Sequence, residues 1–327
     1  MRHNLDIDVI GSAIWMPPDR DAAADFVEFS NTYSLEKFVC MREALNTAYE
    51  SGRLKKLQGR GVAEFILSRK QERKPTSCVR VSDGEGNLLP LAFDFQIGDK
   101  LLDYCVKKIS FMHFGEQRVV PDNSKEFGSF LAEAIRNADL LGFPNFGTIE
   151  RGFHTEESKI DVRALTGNRL SYILLHRIGL EIGELGDVHS DAWFSRGLLP
   201  FYPDIVSDER RVGLISVYPE LATKLNDAFG IPEVEFIRVP RQAIFAPHAE
   251  RKNTYHYPDA MNRIIDEIRP NLQGQVFFVA AGLLGKRYCD RIKRNGGIAI
   301  DIGSIAEIWL GIKARGLEEE FINRWKL

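Results

Sequence analysis

Beyond Pro75 the chain alternates short β-rich runs with helical ones, and this alternation limits what it can fold into more than any other feature. Cys78 to Ser82, Leu140 to Phe143, Val212 to Val217, Val234 to Val239, Gln275 to Ala280 and Ile298 to Ile302 read as strands. Between them, Leu101, Leu102, Cys105, Val106 and Ile109 recur at helical spacing, as do Phe127, Phe130, Leu131, Ala134, Ile135 and Ala138. Leu170 to Ile178, Leu221 to Phe229, Met261 to Ile268 and Lys286 to Lys293 supply further helices. Strand and helix in repeated succession predict an α/β fold, a Rossmann-like and mainly parallel sheet flanked by helices. Such sheets hold their ligands at the carboxyl ends of the strands.

The first 75 residues read differently. Residues 1 to about 30 mix Asp, Pro and short apolar patches without a period, which predicts an irregular arm. Leu35, Phe38, Val39, Leu45, Ala48 and Tyr49 then mark a helix between Ser34 and about Leu57, and a second runs from Val62 to Gln71. The basic segment Arg69 to Lys74, closed by Pro75, reads as a boundary. The expected organisation is an N-terminal arm and helical extension over 1–75 and one ligand-binding domain over 76–327.

Charge and cysteine content narrow the function classes. Lys and Arg total 43 against 46 Asp and Glu, a net charge of −3, so no basic field recommends a nucleic-acid partner. Cys40, Cys78, Cys105 and Cys289 stand far apart with no CxxC pair, which argues against a structural zinc site or a disulfide framework. The N-terminus shows no signal-type apolar stretch, and the run Val276 to Leu284 is far shorter than the roughly 20 residues of a spanning helix. The expectation is a soluble cytoplasmic protein.

Three stretches carry candidate chemistry. In Val79-Arg80-Val81-Ser82-Asp83-Gly84-Glu85, two carboxylates flank a glycine at a strand end. They suit a hard divalent cation, Mn²⁺ or Mg²⁺, which shares its remaining positions with water and phosphate. The same residues also suit a turn and a helix N-cap. In Ala280-Ala281-Gly282-Leu283-Leu284-Gly285-Lys286, a strand passes through a small-residue turn into a helix, a place where free N–H groups meet an anion. Lys286 there either adds a point charge for a phosphate or carries its head into water. The turn has neither GxGxxG nor GxxxxGK[ST]. The third stretch, Gly296 to Ser304, is a strand ending in Asp301-Ile302-Gly303; Asp301 is either a ligand-site residue or a strand residue held by local backbone donors.

Taken in order, these stretches resemble the GT-D-type glycosyltransferases, bacterial sugar-nucleotide enzymes with a Rossmann-like fold. The resemblance covers roughly residues 76–311. Its most specific part is the strand followed by an Asp-X-Glu motif at Asp83-Gly84-Glu85. Ala134 to Pro144 is similar to the family's helix and short strand, Phe236 to Arg241 to a later strand, and Gly282 to Gly303 to its last βαβ unit. The resemblance implies that Asp83 and Glu85 are the metal ligands or their close supports and that Gly282, Gly285, Lys286 and Asp301 lie around the nucleotide diphosphate. Many relatives carry a histidine just after Asp-Ile-Gly, where this chain has Ser304; His248 and His256 are candidates to replace it.

The expected function is therefore metal-dependent transfer of a sugar from a UDP- or GDP-linked donor to a carbohydrate acceptor in bacterial surface polysaccharide synthesis, with room for peripheral membrane contact through a lipid-linked acceptor. An inverting transfer needs a base; Glu150, Asp187, His189 and Asp191 sit at strand ends or in loops open to that role. The alternatives are a nucleotide-sugar binding module without turnover and, on a similar sheet, a nicotinamide-dependent oxidoreductase, against which the missing glycine fingerprint weighs.

Overall fold

In the run Val276 to Ala280, Phe277 and Val279 join one apolar cluster while Val276 and Phe278 join another. Successive side chains of a strand point to opposite faces, so a run that buries both sets belongs in the middle of a sheet covered by helices on each side. The neighbouring run behaves the same way, with Ala299 in the first cluster and Ile298 and Ile300 in the second.

The computed structural model describes residues 17–156, 159–182, 188–245, 256–313 and 317–327. Its strands are β1 (Lys55–Leu57), β2 (Thr76–Arg80), β3 (Leu140–Phe143), β4 (Val188–Asp191), β5 (Arg211–Ser216), β6 (Glu233–Arg238), β7 (Val276–Ala280) and β8 (Ile298–Asp301). All pair in parallel within one eight-stranded sheet, in the order β1-β4-β3-β2-β8-β7-β5-β6. The α/β class and the parallel sheet read from the sequence are thus what the chain adopts.

The helices that matter to the site are α1 (Arg20–Thr32), α2 (Leu35–Glu50), α3 (Arg60–Gln71), α4 (Asp99–Phe114), α5 (Ser124–Arg136), α6 (Phe146–Phe153), α7 (Val162–His176), α8 (Glu220–Phe229), α9 (Met261–Glu267) and α10 (Gly285–Arg294). Part of the segment expected to be an irregular arm is α1. Asp19 caps it by accepting from the Ala22 N–H at 2.8 Å. Asp25 then accepts from the N–H groups of Lys100 and Leu101 in the open first turn of α4. Residues 1–16 lie outside the described residues.

Two strands, β1 and β4, escape the sequence reading. The expected helix over Ser34 to Leu57 is shorter than its apolar spacing suggests: α2 stops at Glu50, and Lys55–Leu57 adds β1 to the sheet edge beside β4. The extension thus contributes a strand to the main sheet. No helix among the described residues is long and apolar enough to cross a membrane.

At the centre, β2 and β8 are neighbours, with Cys78 opposite Ile300. On the other side of β8, Val279 lies opposite Asp301. The carboxyl ends of β2, β7 and β8 therefore open at one place, although they come from distant parts of the chain. The helix α10 follows β7 directly and buries Lys286, Tyr288, Cys289 and Ile292 against the sheet.

Candidate functional site

Leaving β2, the chain runs through Val81 and Ser82 into a one-turn helix, Asp83–Gly86. The Ser82 backbone N–H and hydroxyl both donate to Glu85 Oε2, at 3.1 and 3.2 Å. This is the reciprocal half of a capping box, and it turns the Glu85 side chain back toward the strand end. The turn is pinned from outside by α7: a Cβ on Gly86 would fall 1.8 Å from the Gly167 carbonyl oxygen, so only glycines permit this approach. The Ser171 hydroxyl adds a bond to the Ser82 carbonyl at 2.9 Å.

Glu85, pointing inward, meets Lys286. The Lys286 ammonium lies 2.6 Å from Glu85 Oε1 and 2.8 Å from Asp301 Oδ2. Asp301 Oδ1 in turn lies 3.3 Å from the Arg80 guanidinium, and its Oδ2 also accepts the Arg80 backbone N–H at 3.4 Å. Lys286 is 1% exposed, Asp301 3% and Glu85 6%. Both oxygens of both carboxylates are engaged, and two cations balance two anions. Gly303, at φ +49°, makes the arrangement possible, since a Cβ there would sit 2.1 Å from the Arg80 guanidinium.

Burial disfavours every charge in this cluster, and the partners restore it. Desolvation pushes the Glu85 carboxyl up, but the Lys286 ammonium, with Arg80 and the Ser82 N–H, more than offsets it and holds the group down at about 2. Burial lowers Lys286, yet Asp301 and Glu85 leave it above its ordinary value. Arg80 is held up in the same way, chiefly by Asp301.

A second balanced group adjoins the first. Arg163, on α7, donates to Asp83 Oδ2 at 2.7 Å and to Asp161 Oδ2 at 3.2 Å, and Lys108 reaches Asp161 Oδ1 at 3.4 Å. Burial raises the Asp161 carboxyl, and Arg163 and Lys108 pull it below its ordinary value. The Asp83 and Asp161 side chains keep 37% and 36% of their surface exposed, in contrast to the buried Glu85 and Asp301.

His113, near the end of α4, faces the same place. Its Cε1 lies 3.4 Å from where a Cβ on Gly282 would be, and the Gln242 amide nitrogen lies 2.4 Å from the same point. Burial lowers its imidazole to about 4, and its field is shared with Glu85, Arg163, Lys286 and Asp83. Nothing in the sequence pattern marks His113, Arg80, Arg163, Asp161 or Lys108 as site residues. The internal Gly167 is the available signal that the helix through Arg163 makes an unusually close contact.

Other expected residues fall elsewhere. Ser304 precedes the short helix Ile305–Trp309 and makes no side-chain cap bond there. His256 is buried, its Nε2 2.7 Å from the Tyr288 hydroxyl, and burial lowers it to about 3. His248 and Asp187 lie outside the described residues. Asp191 accepts from the Trp193 N–H within its own turn and from the Asn145 amide just past the end of β3, and Glu150 is an exposed residue of α6. His189 is buried 2.8 Å from the Tyr49 hydroxyl, beside a cavity of about 170 Å³ between α2, α7 and the ends of β3 and β4.

Glu85, Lys286 and Asp301 are thus brought into contact, and Gly282 and Gly285 form the turn above them. Two details differ from the expected arrangement. Asp83 and Glu85 do not converge on one point, because Asp83 turns to Arg163 and Glu85 to Lys286. Lys286 reaches neither ligand space nor water; its head is buried beneath the turn. These residues do not fit a divalent cation as they stand, since the oxygens it would use on Glu85 and Asp301 already hold cationic or N–H donors. Among the described residues no group of three or more His, Cys, Asp or Glu is placed to hold a metal ion.

No protein-family model matches the chain, and no curated protein matches it. Two solved structures are similar to it. One, a selenomethionine-substituted domain of unknown function 1792, shares 12% identity at a TM-score of 0.46, over 84% of this chain and 91% of that one. The other, described as a new glycosyltransferase of the same domain type from Streptococcus sanguinis, shares 14% identity at 0.45, over 84% of this chain and 93% of its own.

Proposed function

We propose that this protein transfers a sugar from a UDP- or GDP-linked donor to a hydroxyl of a carbohydrate acceptor. The observation that carries the reading is convergence: the three stretches that resemble the GT-D-type enzymes, around Glu85, Lys286 and Asp301, meet at the carboxyl ends of β2, β7 and β8. That is where a parallel sheet presents a phosphate-bearing ligand. The N–H groups of the one-turn helix Gly282–Leu284, which runs on into α10, are the donors this reading gives a diphosphate.

In the transfer, the bond between the sugar anomeric carbon and the β-phosphate oxygen breaks, and the diphosphate leaves with the electron pair. The acceptor oxygen bonds to the anomeric carbon, and its proton passes to the departing diphosphate or to water. Negative charge grows on the diphosphate, and fixed positive groups aimed at that place lower the barrier. Here those groups are the backbone N–H donors of the Gly282 turn, since Lys286, Arg80 and Arg163 are each balanced by carboxylates. His113, neutral at physiological pH, presents an uncharged imidazole at the Gly282 turn. The sequence resemblance supports surface polysaccharide assembly as the setting, with the acceptor lipid-linked at a membrane surface.

The test is a thermal-shift screen followed by a turnover assay. UDP or GDP should stabilise the protein, by about 2.7 kcal/mol at 100 times the dissociation constant, and NADH should not. Incubation with the matching nucleotide sugar and acceptor glycan should then release the nucleoside diphosphate. Binding without release would reassign the protein as a binding module, and stabilisation by NADH alone would move it to the oxidoreductases.

A further inference from the structure

We infer that the ammonium of Lys286 occupies the place of a divalent cation in this site, so that the protein takes its diphosphate ligand without a metal ion. The inference deepens the proposed function and rests on it for the identity of the ligand.

The argument begins with oxygen atoms. Glu85 and Asp301 are the buried carboxylates beneath the Gly282 turn, and a Mg²⁺ ion would bind such oxygens at about 2.0–2.1 Å. Lys286 Nζ already lies between them, 2.6 Å from Glu85 Oε1 and 2.8 Å from Asp301 Oδ2. The remaining oxygens are taken by the Ser82 N–H and hydroxyl and by Arg80. An ion bonded to the same pair would have to displace the ammonium, which is buried at 1% exposure.

Charge leads to the same point. Glu85 and Asp301 are balanced by Lys286 and Arg80, and Asp83 and Asp161 by Arg163 and Lys108. No surplus negative charge is left to offset the cost of stripping water from a doubly charged ion. The buried side-chain atoms of these eight residues that lack a hydrogen-bond partner are guanidinium N–H groups, Arg80 Nε and Arg163 Nε, rather than carboxylate oxygens. Unpartnered N–H donors suit an anion, whereas a metal ion needs carboxylate oxygens that are free.

The experiment has two arms. Mn²⁺ alone is titrated into wild-type protein, Glu85→Gln and Lys286→Met, with free Mn²⁺ read by electron paramagnetic resonance. Wild type should take up no more than Glu85→Gln, whereas Lys286→Met, with two carboxylates bared, should gain affinity by about tenfold or more. In the second arm, UDP and GDP are titrated calorimetrically into wild type with EDTA or with Mn²⁺, and the affinities should agree within about threefold. Mn²⁺ uptake by wild type that Glu85→Gln abolishes would overturn the inference. So would nucleotide binding that EDTA removes, or a folded Lys286→Met protein that gains no Mn²⁺. If Lys286→Met does not fold, the wild-type titrations still decide. Should neither nucleotide bind under either condition, the proposed function fails, while the Mn²⁺ arm still judges the cation.

Discussion

Gly167 of α7 lies against the backbone of Asp83, so close that a Cβ on it would fall 2.0 Å from the Asp83 carbonyl oxygen. The turn that presents Asp83 and Glu85 is therefore set by a helix more than by its own sequence. Gly167→Ala should force the two apart, at a cost of about 1–3 kcal/mol or more, and weaken nucleotide binding with it. Gly84→Ala is the control: nothing lies within 4 Å of a Cβ there, so urea denaturation should show a change within about 0.5 kcal/mol or a slight gain.

Asp301→Asn should be one of the most destabilising single-charge changes in the chain. It leaves the buried Lys286 and the part-buried Arg80 with Glu85 alone, and breaking such a pair costs about 3–5 kcal/mol. The exposed i,i+4 pair of Asp103 and Lys107 offers the comparison. Asp103→Asn should cost less than about 1 kcal/mol. Equal losses in chemical denaturation would mean that the central cluster is hydrated in solution.

Tyr49→Phe should cost about 1–3 kcal/mol through His189. The Tyr49 hydroxyl is 2.8 Å from His189 Nε2, and His189 Nδ1 has no partner. The substitution leaves a buried imidazole with neither nitrogen bonded. Calorimetric melting of Tyr49→Phe beside the double variant Tyr49→Phe/His189→Phe checks this. Once the Tyr49 hydroxyl is gone, an apolar ring at position 189 should be tolerated better than the imidazole, and a double variant no more stable than the single one would place the cost elsewhere.

Acid should destabilise the protein well before the carboxylates titrate. Burial lowers His189 to about 4, with Lys56 adding to the effect, and lowers His256 to about 3, with His113 and Arg263 adding. In the unfolded chain both titrate near pH 6.5. The unfolded state thus binds more protons below that pH, and stability falls as pH drops from about 6.5 toward 4, by up to about 1.4 kcal/mol per pH unit for each histidine. Glu85 acts lower: its stabilising ionised form is present above its unfolded value and is lost as pH falls toward about 2. His189→Gln and His256→Gln should each flatten the upper limb of a melting temperature–pH profile.

The sheet's middle was legible because its strands are apolar on both faces. The βαβ unit through β7, α10 and β8 stands within a residue or two of where periodicity put it. What stayed hidden carries polar residues: β4 reads Val-His-Ser-Asp, and its His189 and Ser190 are buried by partners on other elements. β1 exposes two lysines at the sheet edge. At the site, the sequence singled out Glu85, Lys286 and Asp301, but their contact depends on β2 lying beside β8, a pairing that no local pattern encodes. Arg163 was missed because the apolar spacing of α7 is clear only from Leu170 onward, a full two turns after the helix begins at Val162.

The place of β8 bears on how the molecule assembles. Among the described residues it alone joins the half-sheet β1-β4-β3-β2 to the half-sheet β7-β5-β6, and it follows the other seven strands. During synthesis both halves wait with an unpaired strand edge, at β2 and at β7, and such edges invite mispairing. Arg80, made 221 residues before Asp301, has no carboxylate from β8 to meet until then. One late strand thus closes the sheet and neutralises its central charges in the same event, so a nascent chain stalled before Ile298 would be at once open-edged and electrostatically unfinished.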